Sequence, residues 1–244
     1  MSVRDYDKLS KKIVLGKPIV VVICDHNPGN FKKTSIAKYG SLANAIKDRM
    51  QDLIPSCKGT DIVIGGHSAS GEASLAAWQN GLIHDLNPLG YIGLDPYEIG
   101  ENTIDEGNTL TLPAIFWGFT KTTCLVAKEK AAEAGYAITS SKARVLYTVH
   151  NENGCKITHC VFTDHGCGVK PFTCSTQDDF DWIYEYVACS IHLFLDAIAH
   201  GNTFTREYFE LDGTPVDLSL RVNTDEVTLQ DMAKGRLGSL QTKF

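Results

Sequence analysis

Continuous apolar runs alternate with stretches of helical spacing along most of this chain. "KPIVVVICD" (17–25) is dense in β-branched residues with no polar alternation, which predicts a strand buried on both faces of a parallel sheet. The turn "HNPGN" closes it, and Leu42, Ala45, Ile46, Met50, Leu53 and Ile54 then repeat at helical spacing. "TDIVIGG" (60–66) predicts a second strand, and "EASLAAWQNGL" (72–82) a helix ending near Gly81. "LGYIGLDPY" (89–97) reads as a third strand that stops at Asp95-Pro96. "LPAIFWGF" (112–119) is a fourth, followed by the helix "CLVAKEKAAEAG" (124–135). "KITHCVFTDHG" (156–166) reads as the last strand and its exit loop. In "DDFDWIYEYVACSIHLFLDAIAHG" (178–201), Phe180, Ile183, Tyr184, Val187, Ile191, Phe194, Leu195 and Ile198 share one helical face, as expected of a helix packed on a sheet.

Strands alternating with helices predict the α/β class: a mostly parallel central sheet with helices on both faces. From about Asn202 the alternation stops; "ELDGTPVDLSLRVN" (210–223) suggests a small hairpin, and the last stretch an extension. No repeat, low-complexity tract or linker divides the 244 residues, so a single domain is expected, its core spanning about 17–202.

Composition narrows the partners. With 43% apolar and 21% charged residues and no long uncharged apolar run, the chain reads as a globular protein without a membrane span. A net charge of -6 disfavours nucleic acid and anionic membrane surfaces, which need basic patches. The N-terminal "MSVRDYDKLSKKIVLG" lacks the apolar core of a secretory signal, and Asp5 and Asp7 are unlike a transit peptide; a cytoplasmic location is the expectation. Eight cysteines are many. Cys155, Cys160, Cys167 and Cys174 lie close together, but no pair has the two-residue gap of a zinc ribbon, so neither a metal nor another cofactor is expected. Thiols in a reducing compartment are the simpler reading; a disulfide among those four is the alternative for an exported protein.

Candidate chemistry begins at "VIGGHSASG" (63–71). A nucleophile elbow has glycine two residues before and two after its serine, and here Gly66 precedes Ser68 while Ser70 and then Gly71 follow. A sharp strand-to-helix turn lifts the serine above the sheet. It also aims the next backbone N–H, that of Ala69, at the oxyanion of an attacked carbonyl. A plain turn without chemistry is the competing reading. A base is expected in a loop after the final strand, where His165 stands in "FTDHGCG". His159 is expected to be packed within that strand, His150 to be solvated in "VHNENG", and His67 to point away from the base. Elimination favours Asp95, at the carboxyl end of a strand, as the orienting acid, with Asp164 in reserve.

Through "GGHSASG", "YIGLDPYEIG", "LPAIFWGF" and "HLFLDAIAHGN" the chain resembles the α/β-hydrolase superfamily, nearest to chlorophyllases and lipase- or dienelactone-hydrolase-like esterases. The resemblance covers about Lys17 to Asn202. It implies a three-layer sandwich and supports Asp95, because chlorophyllase-like enzymes place the acid in a similar strand-end "DP" segment. Two departures stand out: Ser70 replaces the usual glycine, and the chain starts late, as though N-terminal strands of the fold were lacking. If "IVVVICD" stands in for the family's third strand, "DHNPGNF" would supply the second oxyanion donor, with Gly29 allowing close backbone approach.

The expected activity is that of a serine esterase acting on a hydrophobic small-molecule ester, with Trp117, Phe116 and Phe172 as candidate pocket walls. Core packing is the plainer account of each. A thioesterase or acyltransferase would use the same acyl-enzyme. A catalytically impaired shell that binds a ligand or a partner is the alternative from another class. An edge strand left uncovered by a late start would suit a homodimer contact.

Overall fold

In the computed structural model of the protein the described residues are 3–23, 34–55, 61–83, 86–96, 110–119, 131–151, 159–164, 181–201, 204 and 238–243. A 3-10 turn at Val3–Tyr6 leads into α1 (Asp7–Val14), and α2 spans Thr34–Leu53. Then come β1 (Val63–His67), α3 (Ala69–Gln79), β2 (Gly90–Leu94), β3 (Ala114–Phe119), α4 (Ala131–Ile138) and β4 (Arg144–Asn151). A 3-10 turn at His159–Phe162, α5 (Asp181–His200) and β5 (Gly238–Lys243) complete the order. The strands lie side by side as β1-β2-β3-β4-β5. The first four are parallel, and β5 runs antiparallel along β4.

Alternation along β3 shows why its sequence looked uniformly apolar. Ile115, Trp117 and Phe119 face one side of the sheet, where Leu9 of α1 and Ile183, Val187 and Phe194 of α5 cover them. Ala114 and Phe116 face the other side, against Leu75 of α3 and Ala132 of α4, with Ile36, Tyr39 and Ala43 of α2 packed behind. A strand covered on both faces has no reason to alternate apolar with polar. The α/β class expected from the pattern is therefore present, with helices on both faces of a parallel four-stranded sheet.

Several elements differ from expectation. The run 17–25 forms no strand over its described part: Val20 and Val22 are 46% and 48% exposed, and β1 is the sheet edge among the described residues. β-Branched residues favour extended backbone, but a strand also needs a partner for its hydrogen bonds. The fourth parallel strand comes instead from "RVLYTVHN", so His150 lies in β4, in register with Ser239, rather than in a turn. The segment read as the last strand supplies the 3-10 turn at His159–Phe162. At the two ends, Leu9 of α1 joins the core and β5 joins the sheet, so the packed unit reaches beyond 17–202 on both sides. The hairpin expected at 210–223, the "HNPGN" turn and the first part of the helix expected at 124–135 lie outside the described residues. No described helix is long and apolar enough to cross a membrane.

Trp117, offered as a candidate pocket wall, packs in the core, the plainer of its two readings. It is fully buried, stacked on Tyr147 at 4.8 Å between centroids, and its Nε1–H donates to Ser190 Oγ of α5 at 2.9 Å. Phe116 is equally buried in the opposite layer. Removing the indole leaves a cavity under α5, and Trp117→Ala should lower unfolding stability by about 3–5 kcal/mol in urea denaturation. A loss below about 1 kcal/mol would contradict this role.

Candidate active site

β1 ends at His67, and Ser68 turns the chain directly into α3. The serine backbone has φ 56° and ψ -133°, a conformation that non-glycine residues avoid. Its neighbours explain how the turn closes. A Cβ on Gly66 would lie 2.8 Å from the carbonyl carbon of Ser70, and one on Gly71 would lie 2.7 Å from Gly66 O and 3.0 Å from Pro96 Cβ. Around the serine, positions 66 and 71 therefore both exclude a side chain. The spacing "GHSASG" satisfies the steric demand even though Ser70 stands where a glycine is usual. Ser68 itself is partly exposed. The N–H of Ala69, first in α3, has no acceptor within the helix and sits at the positive end of its dipole. Phe172, the remaining candidate wall, and Gly29, in the candidate segment for the second donor, lie outside the described residues.

The neighbouring strand brings a carboxylate alongside. Ser68 N–H donates to Leu94 O at 3.1 Å, and Asp95 N–H donates to Trp117 O at 2.7 Å, so both residues are fixed at the carboxyl ends of paired strands. Asp95 also has positive φ, 43°, and is 5% exposed. Its Oδ2 lies 2.6 Å from Nδ1 of His159, itself 2% exposed. With a carboxylate as the acceptor, Nδ1 carries the hydrogen, and in the neutral ring Nε2 is left with its lone pair.

His159 was expected to be a packed strand residue, and His165 to be the partner. His159 instead sits in the buried 3-10 turn and, among the described residues, is the histidine that meets Asp95; His165 lies outside them. The sequence signal was present: His159 follows the last parallel strand, where a base is sought, but an apolar stretch of four residues looks alike in a strand and in a buried helical turn. Asp164, the reserve acid, accepts from the backbone N–H of Lys8 at 3.1 Å and so caps α1.

The ring of His67 lies against that of His159, 4.5 Å between centroids. Nε2 lies 2.8 Å from the backbone oxygen of His159, so it donates; Nδ1, 2.9 Å from Tyr6 Oη, accepts. Burial first, and then the nearby His159, hold the His67 pKa well below the ordinary histidine value, against the smaller opposing effect of the backbone oxygen. Burial also keeps the Tyr6 phenol protonated, as a donor must be.

Cys160, next to His159, is disulfide-bonded, the alternative to a free thiol at that position. Cys189 is free and partly buried. Cys155, Cys167 and Cys174 lie outside the described residues. Among the described residues no group of three or more His, Cys, Asp or Glu side chains is placed to hold a metal ion.

The chain matches no known family profile and no curated protein.

Two outcomes follow from this geometry. Glycine accepts the Ser68 backbone without strain, so Ser68→Gly should be more stable than Ser68→Ala by about 1 kcal/mol in urea denaturation. Equal stabilities would contradict the strain. The second concerns acid. Folded His67 stays neutral where the unfolded chain binds a proton, so its contribution is complete above about pH 6.5 and is lost as pH falls below that value. His192 is shifted the same way, chiefly by burial. His67→Gln should therefore remove part, not all, of the acid slope of stability, by up to roughly 1.4 kcal/mol per pH unit. An unchanged slope would show that His67 takes up its proton in the folded state.

Proposed function

We propose that the protein is a serine hydrolase of the α/β-hydrolase type that cleaves a carboxylic ester through an acyl-enzyme. Ser68 is the nucleophile, His159 the general base and Asp95 the acid that orients it. The observation that carries this reading is the buried 2.6 Å pairing of Asp95 with His159 at the strand end beside a strained serine turn. His159 takes the role that sequence reasoning gave to His165.

Each group has one task. Asp95 holds the tautomer with hydrogen on Nδ1, leaving Nε2 to accept the Ser68 hydroxyl proton as Oγ bonds to the ester carbonyl carbon. The oxyanion then receives the Ala69 N–H at the positive end of α3. Collapse expels the alcohol, which takes the proton from Nε2. Water repeats the sequence in reverse and frees the acid and Ser68. The resemblance to chlorophyllases favours a hydrophobic ester.

Fluorophosphonate labelling with peptide mapping tests the reading. The wild-type protein should carry one adduct, on Ser68, and Ser68→Ala none. His159→Ala should label at least roughly a thousandfold more slowly, and Asp95→Asn should lose on the order of 10⁴ in ester turnover. His165→Ala separates the two histidines and should label at the wild-type rate. A folded wild-type protein that forms no adduct would sink the hydrolase reading and turn attention to a shell that binds a ligand without turnover.

A further inference from the structure

Resting on that reading, we infer that Tyr6 and His67 are positioning residues for the general base, the N-terminal segment serving as a bracket that sets where His159 stands. An orienting aspartate fixes one ring nitrogen, but not the backbone from which the ring hangs. Here the backbone is held separately. His67 Nε2–H donates to the carbonyl oxygen of His159, and Tyr6 Oη–H donates to His67 Nδ1. The chain Tyr6–His67–His159–Asp95 thus joins the N-terminal 3-10 turn, the end of β1, the base turn and the end of β2.

The far end of the base turn is held by the same N-terminal segment. Asp164 N–H donates to Asp5 O at 2.6 Å, and its carboxylate accepts from Lys8 N–H. That segment is itself anchored on α5. Leu9 is buried in the core beneath it, Lys12 pairs with Glu185, and His192 Nε2 lies 2.7 Å from Ile13 O. The turn carrying the base is therefore clipped at both its first and last described residues by residues 3–14, with His67 as the link at the catalytic end. This arrangement is specific to the His67 tautomer with hydrogen on Nε2. A charged His67 would put a hydrogen on Nδ1 as well, against a phenol that now donates to it.

The test uses the 244-residue chain with His67→Leu, His67→Gln and Tyr6→Phe. Leucine removes the donor to the His159 carbonyl, glutamine can restore it, and phenylalanine removes only the outer link. Two readouts are taken on protein shown to be folded by thermal melting. One is fluorophosphonate labelling resolved into a maximal rate and a half-saturating concentration. The other is the downfield proton resonance of His159 Nδ1–H, assigned by its absence in His159→Gln. A misplaced base lowers the rate and leaves probe binding alone, so His67→Leu should label roughly ten- to a hundredfold more slowly at unchanged half-saturation. Its downfield proton should broaden or move. His67→Gln should recover most of the rate, and Tyr6→Phe should fall between. If His67→Leu fails to fold, Tyr6→Phe decides the matter with the same readouts. A folded His67→Leu with wild-type labelling and an unmoved proton overturns the bracket. If the wild-type protein does not label at all, the hydrolase reading fails instead, and the proton resonance alone decides whether the bracket holds the His159 ring.

Discussion

A single short hydrogen bond, from His159 Nδ1 to Asp95 Oδ2 across 64 residues of sequence, is the constraint around which this end of the molecule is arranged. Both groups are almost wholly buried. A buried carboxylate without a partner would cost several kcal/mol, roughly the scale of a domain's net stability. The fold must therefore bring the imidazole to it. That demand explains the course of the chain on either side. β2 stops at Leu94, Asp95 adopts a positive φ that points the chain away, and Pro96 cannot continue the ladder. Beyond β4 a tight 3-10 turn, rather than another extended strand, puts His159 within reach.

The sheet supplies the rigidity this geometry requires. Positive φ at Ser68 and Asp95 is a local cost that unpaired backbone would relax away. It persists because each residue's N–H is bonded to the neighbouring strand and because both layers behind are filled. Tyr91, for example, reaches through the α3 side to donate from Oη to Gly71 O at 2.8 Å, pinning the first turn of the helix. On the opposite face Trp117, Tyr147 and α5 close the layer beneath Asp95. Packing far from the serine thus fixes the two strand ends that carry Ser68 and Asp95.

How much of this could be read from the sequence depended on where each signal originates. β1, α3, β2, β3 and α5 were legible because their apolar content is decided locally, by burial on one or two faces. The strand-to-helix turn at Ser68 was legible for a similar reason: positions 66 and 71 lack room for a Cβ against each other's backbone. The position of Asp95 at a strand end was legible from the apolar run that stops there. The strand expected at 17–25 failed because β-branched residues report a willingness to extend, while pairing depends on an open ladder elsewhere. β4 was missed because Arg144, His150 and Asn151 bracket a short apolar centre, which made "RVLYTVHN" look like connecting chain. β5 draws its identity from lying against β4, a contact no local pattern encodes.

The histidine was the hardest feature to read, and the reason is physical. His159 and His67 lie 4.5 Å apart, and at that distance two positive charges would repel strongly in a buried setting. Only one of the pair can carry charge at little cost, and sequence composition treats them alike. Their surroundings separate them. His67 has one nitrogen donating to a carbonyl and the other accepting from a phenol, which suits a neutral ring. His159 has a carboxylate against Nδ1, where a positive charge on the ring is compensated. In the proposed reaction the proton from Ser68 must reside briefly on a histidine. The carboxylate makes His159 the place for it, and a neutral His67 keeps that place free of a competing charge.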